Sequence, residues 1–308
     1  MKQTTISEII TYLHTANFNA QYCGDEKVFI TSFSNISDLQ DNTIAWIKNK
    51  KYLTEDVISA LKQHQSVIIV CPWKIEEISN CIVTDSPKGV FFSILNKFFK
   101  ERKCKGISGR AIVETDKIGN NVTIGPGCYI CHDVEIADDV ILHANVVIDC
   151  PCKIGKGTEI FAGVVIGSDG FGYYHHDDIP QRVPHFGGVI IGNNVDIGAN
   201  TTIDRGTLED TIIDDNVKID NLCQIGHNVH IQNNSFIIAG TILCGSVKIG
   251  KNSYVAPGAV IKNQVIMGDN CFLGMNSVLN KNLESFSMAV DFSQSIAILE
   301  KKDYRTII

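Results

Sequence analysis

The sequence predicts a mainly β protein: a parallel β-helix of hexapeptide repeats, with a small N-terminal α/β domain ahead of it and a short C-terminal tail behind. Three observations carry this reading. An aliphatic residue recurs at every sixth position from Ile112 through Ile118, Ile124, Ile130, Ile136 and Leu142 to Ile166. The period resumes at Ile191, Ile197 and Ile203, and after a short offset runs from Ile213 to Leu279. The positions between are rich in Gly, Asn and Asp. A helix would repeat every 3.6 or 3.5 residues and an ordinary strand would stop after a handful, so neither fits. A fixed hexad instead marks coils that bury their apolar side only by stacking on one another.

Residues 1–104 lack the period and are expected to form the α/β domain. A helix is predicted from about Thr5 to Thr15, extended segments at Phe29 to Ser34 and Thr43 to Ile47, a helix from Thr54 to Gln63, and a strand over Ser66 to Cys71. Asp85-Ser86-Pro87 reads as a helix start, a capping side chain ahead of a proline whose missing N–H costs nothing in the first turn. An apolar helix then follows from Gly89 to Phe99. Residues 105–284 are assigned to the β-helix, about three hexads to a triangular turn, so that residues a turn apart stack about 4.8 Å from one another. Two breaks interrupt it: Gly170 to Gly188, which must leave the stack as a loop, and Gly206 to Thr211, which adds four residues. Long loops on a regular scaffold usually carry function. Residues 285–308 are read as a short tail with one helix near Ser293 to Lys302.

With 44% hydrophobic and 20% charged residues the chain has the balance of a soluble protein, and no apolar run approaches the length of a membrane span. The N-terminus carries Glu8 and His14 inside its apolar pattern and reads as an amphipathic helix, so a cytoplasmic location without stable membrane insertion is expected. A net charge of −7 argues against a broad nucleic-acid surface. The stretch Lys97 to Arg110 is locally basic, suiting either an acidic partner or a solvated linker. Of eleven cysteines, Cys128, Cys152, Cys223 and Cys271 fall four residues after a leading aliphatic, a slot for small side chains, so they read as core residues and not as disulfides or zinc ligands. No metal site is expected.

His227 follows Ile225 by two residues, an outward slot. Asp220, one hexad earlier, is placed to accept from one imidazole nitrogen and leave the other as a base. Gly245, one turn later, offers a backbone N–H to a developing oxyanion. A base and an oxyanion donor on adjacent turns suggest acyl transfer, with direct attack by a substrate amine or hydroxyl, since no serine or cysteine nucleophile is evident. The cluster His175-His176-Asp177-Asp178 is read as a solvated loop tip, because adjacent residues seldom converge on one ion. A carbonic-anhydrase-like metal site is disfavoured, since His132 and His227 are far apart and His230 occupies a different slot. In the first domain, Trp46, Asn49 and Tyr52 set two aromatics and an amide beside Lys48, Lys50 and Lys51. Such a group can hold a nucleobase and diphosphate, though spacing alone fits core aromatics with a basic turn equally well.

The stretches GSDGFGY (Gly167 to Tyr173), IGANTTIDRG (Ile197 to Gly206) and KIDNLCQIGHNV (Lys218 to Val229) closely resemble the UDP-3-O-(3-hydroxyacyl)glucosamine N-acyltransferases of lipid A biosynthesis. The resemblance covers nearly all of residues 1–280. It implies a homotrimer of left-handed β-helices with active sites between subunits, and no permanently bound cofactor. The acyl donor would be a thioester on the phosphopantetheine of acyl carrier protein, and the acceptor the 2-amino group of a UDP-3-O-acylglucosamine. By motif, His227 would be the general base, Asp220 its orienting partner and Gly245 the oxyanion amide. Trp46, Asn49 and Tyr52 match the uridine-binding pattern, with Trp46 where Phe is more usual. Gln264 stands where the family commonly has a second histidine linked to substrate binding, and Val278 is a candidate floor for the acyl chain. The tail after Leu279 does not match the C-terminal helices with which the family grips the carrier protein. Two other readings stay open: an acetyl-CoA-dependent sugar nucleotide acetyltransferase, and a non-catalytic nucleotide-sugar-binding paralogue.

Overall fold

The computed structural model describes residues 3–76, 78–100, 106–291 and 296–300. Its contacts divide the chain into two units, Met1–Arg102 and Lys103–Ile308. Part of the basic stretch, Arg102, Lys103 and Lys105, lies outside the described residues.

In the first unit helix α1 (Ile6–Thr15) starts at a capping box, the Thr5 hydroxyl accepting from the Glu8 N–H while the Glu8 carboxylate accepts from the Thr5 N–H. Helices α2 (Glu55–Gln63) and α3 (Pro87–Phe98) follow. Ser86 makes no side-chain cap bond, so Pro87 at the first turn marks that start without the expected capping hydroxyl. Five strands, β1 (Ala20–Cys23), β2 (Ser32–Phe33), β3 (Thr43–Trp46), β4 (Ile68–Cys71) and β5 (Cys81–Thr84), form a sheet of order β1-β5-β4-β3-β2, antiparallel only at β1–β5. Ile44, Ile68, Val70 and Ile82 face one core with α1 and α3, whereas Ala45, Ile47, Ile69, Cys71 and Cys81 face another with Leu61 of α2. Strands β1 and β5 were not anticipated from the sequence.

The second unit is a left-handed parallel β-helix of about 10 turns. Its coils build three sheets, which we call face one (from Thr123–Ile124), face two (from Ile112–Val113) and face three (from Val134–Ile136). The leading aliphatics stack in register through the prism, as in Ile203, Ile225, Leu243, Ile261 and Leu279 along face two, and form one continuous buried core. Cys128, Cys152, Cys223 and Cys271 are buried within it. Turning a corner after so few residues requires left-handed backbone. Asparagine, the non-glycine residue that tolerates it best, holds φ between +53° and +60° at Asn194, Asn216, Asn234, Asn252 and Asn270 of one corner column.

Two expectations are corrected at the C-terminal end. The stack does not stop at residue 284: Ser287–Asp291 pairs parallel with Phe272–Leu273 and buries Ala289 in the prism. Ile296–Glu300 then pairs antiparallel with Ser287–Asp291, so the described part of the expected tail helix is a strand. A coil end exposes unpaired backbone groups, and a returning strand satisfies those of residues 287–291 where an independent helix could not. The remainder of that expected helix lies outside the described residues. The loop Gly170 to Gly188 carries a hairpin, Tyr173–His176 against Ile179–Arg182, turned by Asp177 and Asp178 at positive φ.

Truncation of a stacked core residue should be costly. Leu243→Ala, fully buried between Ile225 and Ile261, is expected to lower unfolding free energy by about 3 kcal/mol, measured by denaturant titration. An unchanged midpoint would contradict the stacking.

Candidate active site

Each face takes one hexad, so a side chain's offset from its leading aliphatic decides its corner. His227 lies at the corner from face two (Gln224–Ile225) to face three (His230–Ile231). Both register breaks fall at that same corner in the two preceding coils: Gly170 to Gly188 separates face-two Val165–Asp169 from face-three Val189–Ile191, and Gly206 to Asp210 separates Thr202–Arg205 from Thr211–Ile213. The insertions therefore converge on His227, which is half-buried and outside the prism.

Two glycines sandwich the imidazole. A methyl added at Gly170 would lie 2.6 Å from His227 Cδ2, and one added at Gly245 would lie 2.5 Å from Nε2. Only a residue without Cβ allows so close an approach on either side. His227 Nδ1 lies 3.0 Å from Asn228 Oδ1 and 3.4 Å from Thr207 Oγ1. The orientation of the Asn228 amide is fixed by its other bonds. Its Nδ2 donates to the Glu209 carbonyl (2.9 Å), while its Oδ1 accepts from the Thr207 N–H (3.1 Å) and hydroxyl (2.9 Å). An amide oxygen only accepts, so the His227 proton sits on Nδ1 and the Nε2 lone pair is left free beside Gly245. The Gly245 N–H donates to no described acceptor, although its carbonyl accepts from Gln264 N.

His185, carried in by the first insertion, is buried with its ring edge-on to His227, centroids 5.3 Å apart. Its Nδ1 lies 3.0 Å from the Val183 carbonyl, and its buried Nε2 has no partner. Asp204 accepts from Gln224 Nε2 (3.1 Å). Burial pushes its carboxyl above the usual range, against the pull of that hydrogen bond and of His227 and His185.

The structure brings His227 and Gly245 together but not Asp220. Asp220 lies one corner earlier, from face one to face two, because one hexad spans a whole face of the prism. Its carboxylate accepts instead from the N–H groups of Asn221 (2.7 Å) and Ala239 (3.3 Å), and it lines a ≈ 390 Å³ groove with Phe161, Lys218 and Ile238. Asn228 and Thr207 hold the position at His227 that the sequence reading gave to Asp220. Gln264 is exposed at φ +64°, in the left-handed column of Asn228 and Ser246. The residue two turns above His227 in register is therefore Asn263. Val278 is half-exposed on the outer side of face two.

Within the first unit, Trp46, Lys48 and Tyr52 share the wall of an open cleft of ≈ 500 Å³ with Phe33, Phe91 and Phe92. Trp46 stacks on Phe91, centroids 6.3 Å apart. Asn49, on the same turn, has a buried Oδ1 without a partner. The hairpin residues His175 and His176 are exposed, and among the described residues no group of three or more His, Cys, Asp or Glu is arranged to hold a metal.

Comparison with known proteins follows the same outline. The bacterial transferase hexapeptide (six repeats) model matches residues 117–150, 228–263 and 246–281, and the hexapeptide repeat of succinyl-transferase matches residues 188–221. A UDP-3-O-acylglucosamine N-acyltransferase of Coxiella burnetii is 32% identical over 265 residues, 77% of this chain and 74% of the relative. That of Methylobacillus flagellatus is 32% identical over 275 residues, 80% and 74% of the two chains. Among solved structures, the UDP-N-acetylglucosamine acyltransferase of Campylobacter jejuni superposes with a TM-score of 0.58 at 25% identity over 66% of this chain and 78% of its own. The corresponding enzyme of Bacteroides fragilis gives 0.56 at 27% identity over 63% and 74%.

Gly170→Ala should push the imidazole out of its slot and break the Nδ1 contact to Asn228 while the coil fold persists. A crystal structure of the variant checks this, and an unmoved ring would refute the sandwich.

Proposed function

This chain belongs to the UDP-3-O-acylglucosamine N-acyltransferase family, and we propose that it moves a 3-hydroxyacyl chain from an acyl carrier protein thioester to the 2-amino group of UDP-3-O-acylglucosamine, in lipid A synthesis. The observation that carries the reading is the state of His227: Nδ1 tied to Asn228, Nε2 free beside the unpaired N–H of Gly245.

In this reading the substrate amine attacks the thioester carbonyl and Nε2 takes its proton. Negative charge gathers on the carbonyl oxygen, where the Gly245 N–H can donate; a donor of this kind contributes about 3 kcal/mol to lowering the barrier. The tetrahedral intermediate then expels the pantetheine thiolate, and the imidazolium returns the proton to sulfur. No acyl-enzyme is required. Thr207 and Asn228 hold the ring so that Nε2, not Nδ1, meets the amine. Uracil would stack on Trp46, backed by Phe91, with Tyr52 on the same cleft. Asn49, three residues after Trp46, is assigned to the same nucleotide by its place in the sequence motif. The homotrimer, the carrier-protein partner and a cytoplasmic setting are part of the same proposal. Among the described residues no helix is long and apolar enough to cross a membrane.

Purified protein incubated with UDP-3-O-acylglucosamine and 3-hydroxyacyl carrier protein should yield the N-acylated product by mass spectrometry. Product from acetyl-CoA alone would favour the acetyltransferase reading, and UDP binding without product from either donor would favour the non-catalytic one. His227→Ala should lower kcat by about 10² to 10⁴ while the protein keeps its oligomeric state, measured by steady-state kinetics and light scattering. Trp46→Ala should raise KM for the sugar nucleotide, by roughly tenfold for the loss of one stacking face, with little change in kcat. An unchanged KM would remove Trp46 from the uridine site.

A further inference from the structure

The first unit gathers three thiols on one face of its sheet. Cys71 and Cys81 are buried and Cys23 is half-buried, and all three belong to the core that α2 covers. All are reduced in the structure, and nothing in the proposed transfer uses them.

Register decides which of them can be joined. Cys23, last in the edge strand β1, is directly opposite Cys81 in the antiparallel pair β1–β5. Opposed residues of such a pair have Cα atoms about 4.5 or 5.5 Å apart, and both spacings fall inside the range of about 4.4–6.8 Å that a disulfide spans. Cys71 is opposite Val83, two residues from Cys81 on the parallel neighbour. That diagonal is about 6.6 Å along the strand and 4.8 Å across it, roughly 8 Å between Cα atoms, and beyond disulfide reach. Cys23 and Cys71 are separated by the whole of β5.

We propose that Cys23 and Cys81 form an oxidation site, a dithiol that a peroxide converts to an intramolecular disulfide tying the edge strand β1 to β5. Cys23, the more exposed, meets the oxidant. Its sulfur attacks one peroxide oxygen, the O–O bond breaks, water leaves and the sulfur retains a hydroxyl as sulfenic acid. The Cys81 sulfur, as thiolate, attacks that sulfur; the S–S bond forms, the S–O bond breaks, and hydroxide leaves to be protonated by solvent. Overall two thiols and one peroxide give one disulfide and two waters. The Cys71 S–H donates to the Trp73 carbonyl (3.0 Å). The neighbouring Cys71 sulfur lowers the Cys81 thiol, helped by the backbone of Ile75 and by Cys23 and opposed by burial, which favours Cys81 as the attacking thiolate. In a reducing compartment the pair stays as thiols until oxidant arrives.

The three cysteines lie in separate tryptic peptides, Gln3–Lys27, Gln63–Lys74 and Ile75–Lys88. The full-length protein is treated with hydrogen peroxide, alkylated, digested without reductant and mapped by mass spectrometry. The expected product joins Gln3–Lys27 to Ile75–Lys88, at the summed mass less two hydrogens, is abolished by dithiothreitol, and is absent from Cys23→Ser and Cys81→Ser. A link to Gln63–Lys74, a link between molecules, or sulfinic acid at Cys23 without a link would each overturn the assignment.

Discussion

Inward stacking of one aliphatic residue per hexad is the constraint from which the rest of the second unit follows. Ile203, Ile225, Leu243 and Ile261 are fixed in register, so every residue between them is fixed at a face or a corner. A side chain two positions past the aliphatic is thrown outward at a corner, and the next coil repeats that position about 4.8 Å above. This is why Gly245 comes to rest on the imidazole of His227 without any dedicated contact to bring it there. It is also why a corner can absorb insertions. The Gly170 to Gly188 and Gly206 to Asp210 segments both leave the prism between face two and face three, and the core beneath them stays continuous.

Those insertions turn a repetitive surface into a single site. Without them the corner would present His227 to solvent with its ring free to choose a rotamer and a tautomer. With them, Gly170 closes one face of the ring, Thr207 and the Glu209 carbonyl orient Asn228, and Asn228 in turn claims the Nδ1 proton. A neutral amide in this position sets the tautomer without adding a charge. The ionised group nearest in sequence, Asp220, is spent on backbone N–H groups of another corner.

The parts of this arrangement that were legible in the sequence are those that a period can encode. The hexad located the prism, the inward cysteines and the outward slots of His227 and Gly245, because each depends only on offset from an aliphatic. Asp220 was misplaced by treating one hexad as a step to a neighbouring corner position, whereas it is a full face. The same register, applied to the two insertions, would have pointed to Thr207 and His185, since both breaks interrupt the corner just below His227. The role of Asn228 was not legible, because it rests on four hydrogen bonds with partners as far as twenty-one residues away. The strand at Ser287–Asp291 was missed for a related reason: it continues the stack by backbone pairing with Phe272–Leu273, after the sequence period has lapsed.

Unsatisfied polar atoms give a separate line of argument that needs no period at all. A buried donor or acceptor without a partner costs about 1–3 kcal/mol, so folded chains retain few of them. Among the described residues only three buried side-chain atoms are in this condition: Thr4 Oγ1, Asn49 Oδ1 and His185 Nε2. One of them, His185 Nε2, belongs to the ring that lies edge-on to His227, and Asn49 is three residues from Trp46 but outside the wall of the aromatic cleft. The Val183 carbonyl takes the His185 Nδ1 proton, so Nε2 is left as a buried acceptor. The first insertion thus carries an unsatisfied atom into the corner of His227, a cost that packing of the prism does not require, since His185 is no part of its core.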